Sequence, residues 1–172
     1  KEIKEKPPLV MPTPPKDDPD RVNALSAEEM DKLWAECVKE TASRWNESSK
    51  ARDSFKKLGI AGIYYAMPKL ATSSDRIETS WATSVIVGQG RKAVPLLMEC
   101  LKSGNDSLRN AAMGLLGEIG DHRATEAIIP YLQNTEIVNL AYRALGNLKD
   151  AAAVPAMVET IRQRWQGRLP LG

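Results

Sequence analysis

An aliphatic residue followed by glycine returns four times along this chain at one spacing. Leu58-Gly59, Val87-Gly88, Leu116-Gly117 and Leu145-Gly146 are separated by steps of 29 residues. A fixed period between about 20 and 50 residues means stacked repeats, because no single repeat can bury its own apolar face. Each doublet is followed, after five or seven residues, by an alanine: Ala66, Ala93, Ala124 and Ala153. The words that begin there are Ala-Met-Pro-Lys-Leu, Ala-Val-Pro-Leu-Leu, Ala-Thr-Glu-Ala-Ile and Ala-Val-Pro-Ala-Met. With few aromatics and abundant alanine and leucine, the repeats read as helix pairs rather than strands.

Residues 1–25 stand apart as a proline-rich arm. Six prolines (Pro7, Pro8, Pro12, Pro14, Pro15 and Pro19) fall within the first twenty positions. Prolines at that density disfavour helix and sheet pairing and favour an extended path. Two readings stay open, a solvated spacer and an arm anchored on a partner through Pro8, Leu9, Val10 and Met11.

Ser26 and Glu29 form a capping box at the start of the first helix. That helix carries Met30, Leu33, Trp34, Cys37, Val38, Ala42 and Trp45 at helical spacing, as a cap over the first repeat would. The basic stretch from Lys50 to Leu58 matches the later repeats poorly, so residues 26–59 read as a degenerate cap, 60–165 as repeats and 166–172 as a tail. Short first helices are expected near Ala66, Ala93, Ala124 and Ala153, and second helices over 75–88, 106–119 and 135–148. Pro68, Pro95 and Pro155 are expected in opening turns, where a missing amide costs nothing. Pro130 falls later and is expected to kink its helix. Asp106, Asp121 and Asp150 are expected as caps. The recurring glycine implies close backbone packing between neighbouring units, since glycine within a helix costs about 0.5–1 kcal/mol relative to alanine.

The run Leu108-Arg109-Asn110-Ala111-Ala112-Met113-Gly114-Leu115-Leu116-Gly117-Glu118-Ile119-Gly120-Asp121 resembles the second helix and turn of a HEAT-like repeat of the short variety found in phycobilin lyases. Arg109 matches the family arginine, whereas the aligned positions are Ser80 and Val138. The resemblance implies an all-α, right-handed α-solenoid of about three to four helix pairs behind the extended arm. It is specific for fold and nearly silent on function.

Chemistry is sparse. His122 is the only histidine, and it reads as a turn residue with no second histidine to share a metal. HEAT-like hydroxylases use repeated His-Glu pairs, which this chain lacks. Phosphate loops, dinucleotide fingerprints and nucleophile elbows do not occur in it. Cys37 and Cys100, the two cysteines, read as small core residues. The formal net charge of +2 argues against nucleic acid. No apolar run is long enough to insert in a membrane. The expectation is a soluble protein, cytoplasmic or, if Lys1 follows a removed leader, periplasmic or lumenal.

Function is therefore expected at protein-binding surfaces, without catalysis and without a cofactor. If the second helices line a concave face, aligned positions form ladders: Trp81, Asn110 and Asn139; Ser84, Met113 and Tyr142; Val85, Gly114 and Arg143. The alternative for each position is packing against a neighbouring helix. A second surface is the last helix, where Val154, Met157, Val158, Ile161 and Trp165 lack a following helix to cover them; either Leu169-Pro170-Leu171 folds back there or another chain docks. Met157, Ile161 and Trp165 are its assembly candidates, with a homo-oligomer or filament among the outcomes. The chain reads as a scaffold or assembly subunit of a larger complex. The resemblance leaves open an accessory, lyase-like subunit of a cofactor-bearing protein.

Overall fold

A computed structural model of the chain describes residues 8–13, 25–43 and 50–167. Among them every regular element is helical: α1 (Ala27–Ser43), α2 (Lys50–Lys56), α3 (Ile60–Thr72), α4 (Arg76–Gly88), α5 (Val94–Leu101), α6 (Asp106–Ile119), α7 (Thr125–Ile128), α8 (Val138–Leu148) and α9 (Val154–Trp165). Short 3-10 turns precede α5, α7 and α9, and a longer one (Ile129–Gln133) follows α7. The chain divides into two compact units, Leu9–Ala93 and Val94–Gly172.

In the Leu9–Ala93 unit, α3 and α4 pair as a hairpin, and α1 packs on α2 and α4. Ser26 and Glu29 close the expected box: the Ser26 amide donates to Glu29 Oε2 at 2.8 Å, and the Glu29 amide donates to Ser26 Oγ at 3.3 Å. The core is an aromatic cluster. Trp34 stands 5.2 Å from Phe55, 5.5 Å from Tyr65 and 6.2 Å from Trp81, between ring centroids. Such tilted pairs are worth about 0.5–1.5 kcal/mol each beyond the area they bury. Trp34 Nε1 donates to Glu78 Oε1 at 2.7 Å, so the indole is satisfied while its ring is buried. Tyr65 donates its hydroxyl to Asp31; burial, then that bond and the Asp31 charge, push the phenol above its ordinary range.

The first repeat starts earlier than its sequence phase suggests. Gly59 adopts φ 56, a left-handed conformation that glycine takes without strain, and α3 begins at the next residue. Ala66 and Pro68 therefore fall in the middle of α3, not in an opening turn. Pro68 removes one helical hydrogen bond there. Pro95 and Pro155 do sit in first turns.

In the Val94–Gly172 unit the HEAT-like pairing is regular. Helix α5 packs on α6, α6 on α8, and the Ile129–Gln133 turn on both α8 and α9. Pro130 does more than kink its helix: the α-helical pattern stops at Ile128 and continues as 3-10. Asn105, not Asp106, caps α6, its side chain accepting from the Leu108 amide at 3.1 Å. Asp106 pairs with Arg109 instead, because the chain enters the helix at the extended Asn105. Asp121 and Asp150 cap the 3-10 turns that begin at His122 and Ala151. The Asp150 carboxyl is held below its ordinary value by the Thr125 hydroxyl and then by the Ala152 amide.

The four recurring glycines turn out to have different reasons. A Cβ at Gly117 would stand 2.9 Å from Ala144 Cα, so α6 and α8 touch through backbone there. Gly59 makes a turn. A methyl at Gly146 would meet nothing within 4 Å, and one at Gly88 would meet only the flexible end of Lys56 at 4.0 Å. Of Gly88, Gly117 and Gly146, the expected close packing holds at Gly117.

Gly117→Ala is accordingly expected to destabilise the fold by about 1–3 kcal/mol, through overpacking against backbone. Gly146→Ala is expected to stabilise it by about 0.5–1 kcal/mol, through helix propensity; urea unfolding of both variants checks the opposite signs. The capping box has its own signature. Its Ser26 bonds hold the Glu29 carboxyl below its ordinary value of 4.5. Because the folded value is the lower one, the contribution is complete above about pH 4.5 and disappears as pH falls through the folded value. Stability against pH should lose that acid-side decline in Glu29→Gln.

Candidate functional site

Helix α9 follows Asp150 and its capped turn, with Pro155 in the first turn to fix its direction. Its buried side is thin. Thr160 is buried and receives Gln133 Nε2 at 3.5 Å while its own hydroxyl donates to the Ala156 carbonyl at 2.9 Å. Arg164 donates to the Leu132 carbonyl at 3.5 Å, and Tyr142 donates its hydroxyl to the Met157 carbonyl at 3.1 Å. These bonds tie α9 to the preceding repeat. Its other side carries Val154, Val158, Ile161 and Trp165, exposed by 53%, 52%, 55% and 91%. Their spacing of four, three and four residues is the seam by which one helix packs along another. Among the described residues no helix covers it. Met157, expected with this group, is half-buried at its edge; Val154 and Val158 belong to the stripe. The fold-back of Leu169-Pro170-Leu171 lies outside the described residues.

A second surface lies where α6 meets α8. A pocket of about 320 Å³ is lined by Asn110, Glu136, Ile137, Asn139, Leu140 and Arg143. Three residues of the expected ladders, Asn110, Asn139 and Arg143, thus converge on one pocket. The Asn110 oxygen itself is closed to solvent and has no protein hydrogen-bond partner. Asn139 and Arg143 are exposed. Gly114, a turn beyond Asn110, has open space where a Cβ would project.

The other ladder positions are corrected by burial. Trp81, Val85 and Met113 are 0% exposed. Trp81 is closed over by Trp34 from α1 and Phe55 from α2, with centroids 6.2 Å and 6.0 Å away. The N-terminal cap therefore occupies the face of α4 on which a partner was expected. Met113 is buried because α6 has neighbours on two sides, α5 and α8, so its buried arc spreads past a single stripe. Tyr142 and Ser84 are half-buried, and the Tyr142 hydroxyl is engaged with α9. Trp81→Ala should act as a core truncation, lowering stability by about 3–5 kcal/mol in thermal or urea unfolding.

Along the expected arm anchor, Pro8 and Val10 are exposed while Leu9 and Met11 are half-buried, on irregular backbone from Pro8 to Thr13. The rest of the arm, 1–7 and 14–24, lies outside the described residues, as does Trp45. His122 opens an exposed 3-10 turn. Cys37 and Cys100 are both buried. Burial, and then the Glu99 charge, push the Cys100 thiol up to about 11, so it stays protonated at neutral pH. Among the described residues no three of His, Cys, Asp and Glu are placed to hold a metal ion. No described helix is long and apolar enough to cross a membrane.

Neither the curated proteins nor the solved structures yield a match to this chain. The family model for HEAT repeats matches residues 94–168. That stretch holds α5 through α9, the regular pairs of the Val94–Gly172 unit, with their capped turns and stacked second helices. The stretch 94–168 is thus similar to HEAT repeats.

Proposed function

We propose that this protein is a non-catalytic scaffold that joins a larger complex through the open side of α9. HEAT repeats generally serve as protein-interaction scaffolds. The observation that carries the reading is the exposure of Val154, Val158, Ile161 and Trp165 along one side of a single helix. Contiguous apolar surface of this kind marks an interaction site more often than it marks a solvated face. Trp165 projects furthest, and tryptophan is the residue type that most often dominates the energy of an interface.

The repeat logic supports a helix as the docking element. In the same unit α5 is covered by α6, and the segment Thr125–Gln133 packs on α8. A partner that laid an amphipathic helix along the four-three-four seam would continue that packing. Arg162 and Glu159, paired at 3.2 Å, flank the stripe and supply a polar rim.

The test combines light scattering across concentration with cross-linking in the native host, for the full chain and for Trp165→Ala and Trp165→Glu. Loss of the exposed indole should leave the fold intact, since Trp165 is 91% exposed. The expected result is at least tenfold weaker self-association or partner recovery for either variant, equivalent to about 1.4 kcal/mol or more at the interface. Wild-type mass and recovery in both variants would sink the assembly role of α9.

A further inference from the structure

We propose that the open side of α9 pairs with the same side of α9 in a second copy of this chain, antiparallel across a two-fold axis, to give a closed dimer. The proposal rests on α9 being the interaction surface and names what covers it.

The stripe reads the same from either end. Val154, Val158, Ile161 and Trp165 are spaced four, three and four residues apart. A two-fold axis midway between Val158 and Ile161 therefore lays the stripe on itself. Val154 falls opposite Trp165 of the second copy, and Val158 falls opposite Ile161 of the second copy. Each facing pair occurs twice, as an isologous interface requires.

Side-chain size fits the same arrangement. The widest residue of the stripe, Trp165, meets one of the two smallest, Val154, and Val158 with Ile161 fills the middle. Large facing small is what lets two helices interdigitate without voids. A parallel pairing in register would set tryptophan against tryptophan at one end and valine against valine at the other. It would also gather Arg162 and Arg164 of both copies at one end, because the last turn of α9 is basic. The antiparallel pairing separates those like charges.

The flanks agree. One flank is taken by the preceding repeat, through buried Thr160 and half-buried Met157 and Arg164. Glu159 and Arg162, paired at 3.2 Å, lie on the other. The two-fold brings both pairs to one edge of the seam. There the arginine of each copy stands two residues, about 3 Å along the axis, from the glutamate of the other, so the rim is neutral.

The preceding repeat shows how such a side is closed. Ala93 and Ala153 open equivalent words sixty residues apart, which makes Val94 and Leu101 the counterparts of Val154 and Ile161. Those counterparts are 0% and 1% exposed, in a helix that packs on α6. Helices joined by a connection as short as 102–105 run antiparallel. In the dimer each α9 supplies the antiparallel neighbour of the other. Four side chains per copy place the contact near the lower end of specific interfaces, about 1,200 Å², so the dimer is expected to dissociate on dilution.

The experiment is light scattering of the full chain across concentration, for wild type, Trp165→Val and the exchange Val154→Trp with Trp165→Val. Wild-type mass should rise from one chain to two and no further. Trp165→Val should weaken dimerisation at least tenfold. The exchange again sets tryptophan opposite valine, and should restore dimerisation to within about threefold of wild type; it would not restore a contact with a foreign helix. Thermal melts check that each variant folds. Cross-linking reads the direction and carries the test if the exchange does not fold. Mixed Val158→Cys and Ile161→Cys chains should form disulfides with one another. Val154→Cys should not link to itself, because the two-fold holds the two copies of that residue eleven residues, about 16 Å, apart along the axis. The proposal is overturned if wild type stays monomeric, if its mass grows past two chains, if a folded exchange variant stays monomeric, or if Val154→Cys links to itself. A monomer whose cross-links to host proteins still depend on Trp165 overturns the second copy and leaves the α9 surface standing. A monomer indifferent to Trp165 overturns both.

Discussion

The backbone contact between α6 and α8 is the interaction on which the regular half of this protein depends. At Gly117 the two second helices approach until a single methyl would collide with Ala144. That approach lets Leu108, Ala112, Leu115 and Leu116 of α6 and Ala141, Leu145 and Leu148 of α8 close a dry core with small side chains between the helices. Asn110 of α6 and Asn139 of α8 line one pocket in the same unit.

The Leu9–Ala93 unit solves the same burial problem with different chemistry. Where the later repeats use leucine and alanine, this unit gathers Trp34, Phe55, Tyr65 and Trp81 into one cluster. Three of the four come from outside α4, so large rings from α1, α2 and α3 replace the missing regular pair. The Trp34 indole and the Tyr65 hydroxyl are tied off by Glu78 and Asp31, so these two polar tips keep partners while their rings pack in the cluster.

The surfaces left over differ in kind. The side of α9 is apolar and continuous, suited to a helix that contributes area. The α6/α8 pocket is small and mixed, with Asn110, Glu136, Asn139 and Arg143 beside Ile137 and Leu140.

Much of this was legible from residue order. The period of 29 specified helix pairs, and the second helices at 76–88, 106–119 and 138–148 lie close to their expected bounds. The Ser26–Glu29 box, the proline turns of α5 and α9 and the break at Pro130 are local chemistry, readable because each acts within one turn of its own residue. The apolar stripe of α9 was readable as well, since its periodicity is local to one helix. Three things were not legible. Sequence alignment treated the four glycines as equivalent, yet Gly117 meets a neighbouring backbone whereas Gly88 and Gly146 do not. The same alignment set Trp81 and Met113 in line with Asn110 and Tyr142 as surface, although both are wholly buried. It likewise set Pro68 at a helix start because Pro95 and Pro155 are there, whereas Gly59 begins α3 eight residues earlier. The sequence by itself determined which segments are helical and which side of each is apolar, because those depend on neighbours three and four residues away. Only tertiary structure decided which apolar sides are covered, because coverage depends on how many helices surround each one: two for α6, the whole N-terminal cap for α4, and a single flank for α9.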